Sequence, residues 1–270
     1  MSTSLLAVIQ EHFLRVTRSW LLPSIARPWF RGHEKSDWQL IPSILRNGNE
    51  QHEFQLTKRF RLLAPGFGVD IPTDRLDQWL FVMQHNLAPT RLLDWSESLN
   101  TAVFFACIDW IKQRDIEKCS DGTVFALNPT FLNKHVLDIC DFPVTWVQNR
   151  VLQTIKFAFG TQDEAVTGPD GNLIPYLQPP VAIFPSTVHG RMRAQKACFT
   201  LHGRDHRDMR RIFQDDGWNA AEMLVEYAIP RDKKPQLADE LGLAGVTYST
   251  IFPDLEGLTS DLKFQFRIVP

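Results

Sequence analysis

The spacing of hydrophobic residues in the first half of the chain predicts a series of amphipathic helices. Apolar side chains recur every three or four positions over residues 5–20, which is the period of a helix with one buried face. The same spacing predicts helices over residues 50–63, 73–85 and 98–113. The third of these begins near Thr73 or Asp74, either of which can cap it.

Short apolar runs predict strands, and most of them lie in the second half of the chain. They cover residues 29–32, 124–127, 181–185, 198–202 and 223–229. Further helices are expected over 142–162 and 234–241, with a loop rich in Gly and Pro over 167–180. The pattern therefore predicts a single α+β domain with a helix-rich N-terminal half and a strand-rich C-terminal half.

Composition narrows the class of protein. The chain has 270 residues, of which 44% are hydrophobic, and its net charge of -2 argues against binding long nucleic acid through bulk electrostatics. Its four cysteines have no C-x-x-C spacing, so we predict no metal site. The N-terminus lacks the features of a signal peptide, and no apolar run is long enough to span a membrane. We expect a cytoplasmic protein that does not contact membranes.

The first candidate for chemistry is Arg31, in the segment Trp29-Phe30-Arg31-Gly32. Aromatic neighbours favour a buried, extended backbone, and Gly32 allows another group to approach the main chain closely. A guanidinium fixed in such a place is a planar fork of donors that suits a phosphate or carboxylate. The alternative is a structural arginine paired with Asp37 or Asp94.

A second polar stretch leads directly into the helix predicted at 98–113. Thr90, Arg91, Asp94 and Ser96 lie there between apolar residues, and the N-terminus of a helix favours anions. We therefore predict an anion site formed by this stretch. The alternative is that Asp94 and Ser96 only cap the helix.

Three candidates lie further along the chain. Arg193 belongs to a cluster of arginines over 191–211, which is either a solvated face or a groove for a nucleotide or an acidic partner. Gln195 stands just before a predicted strand. Glu226 lies inside an apolar strand, where a carboxylate is costly without a partner, so it is either surface-facing or functional.

Together these segments resemble the FRG domain, a bacterial family. The resemblance rests on Phe30-Arg31-Gly32, on Pro89-Thr90-Arg91-Leu92-Leu93-Asp94-Trp95-Ser96, and on later pieces near 193–199 and 252–258. It implies an N-terminal helix over 1–24 and an FRG domain over 25–270. Leu87-Ala88 and Leu99 depart from the family pattern. The family implies little chemistry, but its members are associated with bacterial conflict, as toxins or phage-defence effectors.

The first motif also resembles arginine-type ADP-ribosyltransferases, enzymes that use NAD. That resemblance implies a split sheet, with Arg31 holding NAD and Thr90 or Ser96 in the second motif. Asp94 would orient the cofactor-binding groups, and Gln195 or Glu226 would act at the reacting centre. No clean Glu-x-Glu or Gln-x-Glu follows in this sequence.

The leading hypothesis is an NAD-using ADP-ribosyltransferase-like enzyme that acts on a nucleic-acid or protein acceptor, with an antitoxin as partner. Its catalytic residues are predicted to be Gln195, Glu226 and Asp94. Its cofactor-binding residues are predicted to be Arg31, Gly32, Thr90, Arg91, Ser96 and Arg193. The alternatives are a non-catalytic sensor that binds a nucleotide or a nucleic-acid end, and a scaffold whose motifs serve folding only.

Overall fold

The computed structural model describes residues 4–20, 26–139, 149–159, 177–185, 190–266 and 268. Within these ranges the chain forms a six-stranded antiparallel sheet surrounded by helices, which confirms the predicted α+β class. The strands are β1 (Trp29–His33), β2 (Leu92–Ser96), β3 (Gly122–Leu127), β4 (Val181–Ile183), β5 (Ala197–Leu201) and β6 (Leu224–Ile229). Their order across the sheet is β4-β5-β2-β1-β3-β6.

Helices connect and cover the strands. Those before β4 are α1 (Leu5–Thr17), α2 (Glu53–Leu63), α3 (Leu76–His85), α4 (Leu99–Ala106), α5 (Ile108–Gln113), α6 (Pro129–Leu137) and α7 (Asn149–Ala158). Those after β4 are α8 (Gly190–Ala194), α9 (Met209–Asp215), α10 (Ala220–Met223), α11 (Lys234–Leu243), α12 (Tyr248–Ile251) and α13 (Leu255–Gln265). Among the residues described, none of these helices combines the length and the apolarity that crossing a membrane requires.

The hydrophobic pattern located the first three helices well, but it missed other features. The single helix predicted over 98–113 is two helices, because the chain turns at Cys107 between α4 and α5. Strand β2 was not predicted as a strand. Three strands precede residue 130 and three follow residue 180, so the strands are shared between both halves. Of the helix predicted over 142–162, the part within the described residues is α7.

Two apolar clusters cover the two faces of the sheet. Successive residues of β1 enter different clusters, Trp29 one and Phe30 the other, as expected when alternate side chains point to opposite faces. The same alternation holds in β3, where Phe125 and Val124 belong to different clusters. A central strand covered on both faces must be apolar throughout, and every residue of β3 is buried.

The sheet divides between its two central strands. Strand β1 pairs with β3 over five residues, and β2 pairs with β5 over five. Between β1 and β2, however, the only pair recorded in the described residues joins Phe30 to Ser96. The remaining backbone groups of the two strands therefore separate, and the space that this leaves borders the site described next.

Candidate functional site

A cavity of about 340 Å³ lies where β1 and β2 separate. Its walls come from these two strands, from α3 to α5, and from α8 and the start of β5. The polar residues that line it are Arg31, His33, Glu34, Gln84, His85, Asp94, Ser96, Thr101, Lys112, Arg191 and Gln195. The aromatic ones are Phe30, Trp38, Trp95, Phe105 and Phe199. A volume of this size with a few converging polar groups is typical of a small-molecule site.

Arg31 lies at the gap between the two strands. Its Nη1 donates to the backbone oxygen of Asp94 at 2.5 Å, and its Nε donates to Nε2 of His33 at 2.9 Å. The side chain is 18% exposed, and burial lowers the pKa of Arg31 to about 10, with Asp94 opposing the shift and Arg46 adding to it. The guanidinium thus remains charged at neutral pH. Within the described residues it uses two of its five N–H groups, which leaves donors for an anionic ligand.

His33 accepts from Arg31 and is therefore neutral. Its pKa is lowered to about 2, mainly by burial and in addition by the nearby charges of Arg31, Arg46 and Arg210. Because Nε2 accepts a hydrogen bond, the ring proton belongs to Nδ1. The ring packs edge-on against Phe125 and Trp38, which fixes its orientation. A neutral histidine holds Arg31 in place without repelling it.

Asp94 is held by a short chain of side chains. Thr90 donates to the amide oxygen of Gln84, and Nε2 of Gln84 donates to Oδ2 of Asp94 at 2.8 Å. The same carboxylate oxygen lies 4.0 Å from Nη1 of Arg31. Asp94 is not the cap of α4, because Ser98 takes that position and accepts from the backbone N–H of Thr101. Its carboxylate faces the cavity with a fixed orientation.

Ser96 joins β2 to the start of β5. Its hydroxyl donates to the backbone oxygen of Gln195 at 2.6 Å and accepts from the N–H of Ser98 at 2.9 Å. The side-chain amide of Gln195 donates to the backbone oxygen of Ile251 at 3.3 Å. Ser96 and Gln195 therefore meet at the edge of the cavity, and Gln195 ties that edge to α12.

The C-terminal part of the chain supplies one wall. The guanidinium of Arg191, on α8, lies 4.4 Å from the centre of the Phe252 ring. Asp261 holds α12 beside this wall, because its carboxylate accepts from the hydroxyl of Thr247 at 2.7 Å and from the N–H of Tyr248 at 2.8 Å. Residue 257 must be glycine, since a Cβ there would lie 1.9 Å from the backbone oxygen of Phe252.

Gly32 lines the cavity, but the group that approaches its main chain is a helix. A Cβ on Gly32 would lie 1.8 Å from the backbone oxygen of Ala102 and 2.7 Å from the backbone nitrogen of Ala106, both on α4. The predicted close approach is therefore present, and it serves the packing of α4 on β1. Ligand contact at Gly32 stays a prediction.

The structure brings together part of the predicted site. Arg31, Gly32, Asp94, Ser96 and Gln195 line one cavity. Thr90 is buried behind it and contacts it through Gln84.

Besides Thr90, three predicted residues are not among those that line the cavity. Arg91 is 3% exposed and its side chain is engaged by a carboxylate: Nη2 lies 2.7 Å from Oε2 of Glu53, and Nε lies 2.8 Å from Oε1. Arg193 is exposed on α8. The Glu226 side chain is 58% exposed, and its carboxylate lies 3.9 Å from Arg210. These positions give no support to the cofactor-binding and catalytic roles expected of them.

Several lining residues were absent from the predicted site: His33, Glu34, Gln84, Lys112 and Arg191. Two of them, His33 and Glu34, directly follow the first motif, and Gln84 lies just before the second polar stretch. The charge count of the lining favours an anionic ligand, because three cations (Arg31, Lys112 and Arg191) face two carboxylates. Within the described residues there is no group of three His, Cys, Asp or Glu side chains that can hold a metal ion.

Fold and site together define an α+β domain with a cationic cavity at the division of a six-stranded sheet. The family model of the FRG domain matches residues 26–115, which confirms the resemblance based on the two motifs. The matched residues run from β1 through α5 and so include both strands that border the gap. No curated protein and no solved structure matches the chain.

Proposed function

We propose that the cavity binds NAD and that the protein transfers ADP-ribose from it. The observation that carries the proposal is the convergence of Arg31, Asp94, Ser96 and Gln195 on one cavity, although they come from distant parts of the chain. The separation of β1 and β2 after a single residue pair fits the split sheet expected from the resemblance to ADP-ribosyltransferases. The FRG match itself assigns no reaction.

The lining suits a dinucleotide. The pyrophosphate of NAD needs fixed cationic donors, and Arg31 is held rigidly by His33 and by the backbone of Asp94. Burial of Arg31 disfavours its positive charge, and an anion bound beside the guanidinium would stabilise that charge. Aromatic side chains such as Phe30, Trp38 and Phe105 offer flat apolar surfaces for the rings of the ligand.

The chemistry breaks the bond between the ribose and nicotinamide. Positive charge develops on the ribose in the transition state, and a carboxylate in the cavity stabilises it. Asp94 faces the cavity and is oriented by Gln84, so it can take this electrostatic role. Ser96 and Gln195 shape the opposite edge through their mutual hydrogen bond.

The test is the release of nicotinamide from NAD by the purified protein. Arg31→Ala removes the fixed cation and is expected to reduce release by roughly 30- to 1000-fold, the equivalent of about 2–4 kcal/mol. Arg59→Ala is the matched control, because Arg59 lies exposed on α2 and away from the cavity. Equal loss in both variants, or no release by the wild-type protein, would contradict the proposal.

A non-catalytic nucleotide sensor is the second candidate. It is favoured by one observation: the polar residue just before β5 is Gln195, whose amide cannot act as a carboxylate. Calorimetric binding of NAD that depends on Arg31, without release of nicotinamide, is the result that this candidate predicts.

The biological setting that we propose is a toxin or phage-defence effector. Growth arrest on expression, relieved by Arg31→Ala, is the expected result.

A further inference from the structure

The cavity contains two carboxylates among the residues described, Asp94 and Glu34. Asp94 already accepts a hydrogen bond from Gln84 at 2.8 Å and lies near the guanidinium of Arg31. Both contacts are made by Oδ2 of Asp94, so groups of the protein already hold this carboxylate beside a cation. Asp94 therefore suits charge stabilisation better than proton transfer.

The carboxylate of Glu34 is in a different situation. Glu34 follows β1 directly and lines the cavity, and its side chain has no hydrogen bond or ion pair within the part of the chain that the structure describes. It lies close enough to Tyr248 for its charge to raise the pKa of that phenol, after the larger effects of burial and Glu256. Arg191 acts on the same phenol in the opposite sense, so these groups are neighbours.

The backbone of Glu34 is held by a buried ion pair. Nζ of Lys234 donates to the backbone oxygen of Glu34 at 2.9 Å and to both carboxylate oxygens of Asp109 at 2.8 Å. Lys234 is fully buried, so this contact is shielded from water. The preceding carbonyl is enclosed as well, since a Cβ on Gly122 would lie 2.9 Å from the backbone oxygen of His33. The main chain is rigid here while the carboxylate remains available to a ligand.

We propose that Glu34 is the catalytic residue that takes the proton of the acceptor nucleophile. This role rests on the proposed function. With water as acceptor, the water oxygen forms a bond to the ribose carbon and one of its protons passes to the Glu34 carboxylate. The bond from that carbon to nicotinamide breaks, and its electron pair leaves with the nicotinamide nitrogen. Glu34 then returns the proton to solvent.

The experiment measures nicotinamide release from NAD, with water as acceptor, for the wild type, Glu34→Gln and Glu256→Gln. Glu256 is exposed on α13 and outside the cavity, so its substitution is the matched control. Glu34→Gln is expected to lower kcat by roughly 10²- to 10⁴-fold, the usual contribution of a general base. The Kd for NAD, measured by calorimetry, should change by less than about threefold. The reason is that a general base stabilises the transition state and does not contribute to the binding of NAD in its ground state.

Retention of kcat by Glu34→Gln at the level of Glu256→Gln would overturn the role of Glu34 and leave the proposed function standing. A wild-type protein that releases no nicotinamide would overturn both. The melting temperature of Glu34→Gln should match that of the wild type, because the substitution removes no contact of the side chain. A large loss of kcat in a protein of unchanged stability and NAD affinity therefore supports the catalytic role.

Discussion

Substitution of Gly32 by alanine tests how tightly β1 is packed against the helix that borders the site. The added Cβ would lie 1.8 Å from the backbone oxygen of Ala102, whereas ordinary contacts begin at 3.4 Å. The two elements must therefore separate by about 1.6 Å, the difference between these distances. All three of the nearest atoms belong to the backbone of α4, so a change of rotamer cannot relieve the clash.

Overpacking of a core costs about 1–3 kcal/mol when side chains can adjust. Because here a helix must move, we expect Gly32→Ala to lose at least about 3 kcal/mol of the free energy of unfolding, which urea denaturation followed by tryptophan fluorescence measures. Gly66→Ala is the control, since nothing lies within 4 Å of a Cβ at that position. A free energy of unfolding within about 1 kcal/mol of the wild type for Gly32→Ala would refute this reasoning.

Three further predictions follow from buried polar contacts. Glu53→Leu should cost about 3–5 kcal/mol in urea denaturation, because it removes the carboxylate that neutralises the buried cation of Arg91. The double variant Glu53→Leu/Arg91→Met should recover much of that loss, and an unchanged Kd for NAD in it would argue against a cofactor-binding role of Arg91. Burial raises the pKa of Asp261, but hydrogen bonds from Ser249 and Thr247 outweigh it and lower the pKa overall. The stability that Asp261 provides is therefore present above the unfolded pKa of about 3.9 and is lost as the pH falls through the lower folded value. Asp261→Asn should lower the free energy of unfolding by about 1–2 kcal/mol at neutral pH and by less in acid. An equal loss at both pH values would contradict this. Burial is the main cause that lowers the pKa of His33 to about 2 and that of His202 to about 3. Neither ring should therefore titrate near neutral pH when followed by NMR. A midpoint near 6.5 for His33 would exclude the neutral ring described above.

Helical periodicity predicted α1 because its buried residues, Leu6, Ile9 and Phe13, lie on one face of the helix. The helices α2 and α3 were also located, although the buried residues of α2 are polar and no residue of α3 is exposed. Strand β2, by contrast, was missed. Four of its five residues are buried, so the strand has no alternation of apolar and polar positions. Strand β2 also comes just before α4 in the sequence. Its polar residues were therefore interpreted as the segment that leads into the N-terminus of that helix.

The candidate site was predictable where a local motif fixes the geometry, as for Arg31, Asp94 and Ser96. It was not predictable where the partner is distant in sequence. Glu53 precedes Arg91 by 38 residues, and only the fold brings its carboxylate to that guanidinium. Arg191 and Arg193 are two residues apart, but the fold directs Arg191 to the cavity and Phe252 and leaves Arg193 exposed.

The proposed function requires that NAD binds between β1 and β2, with Arg31 as its fixed cation. A crystal structure with a carbocyclic NAD analogue, whose bond to nicotinamide cannot break, tests this most directly. The expected result is density for the analogue in the cavity, with one of its anionic groups within hydrogen-bond distance of Arg31. Density for the analogue at another place, or a cavity that stays empty at saturating analogue, would contradict it.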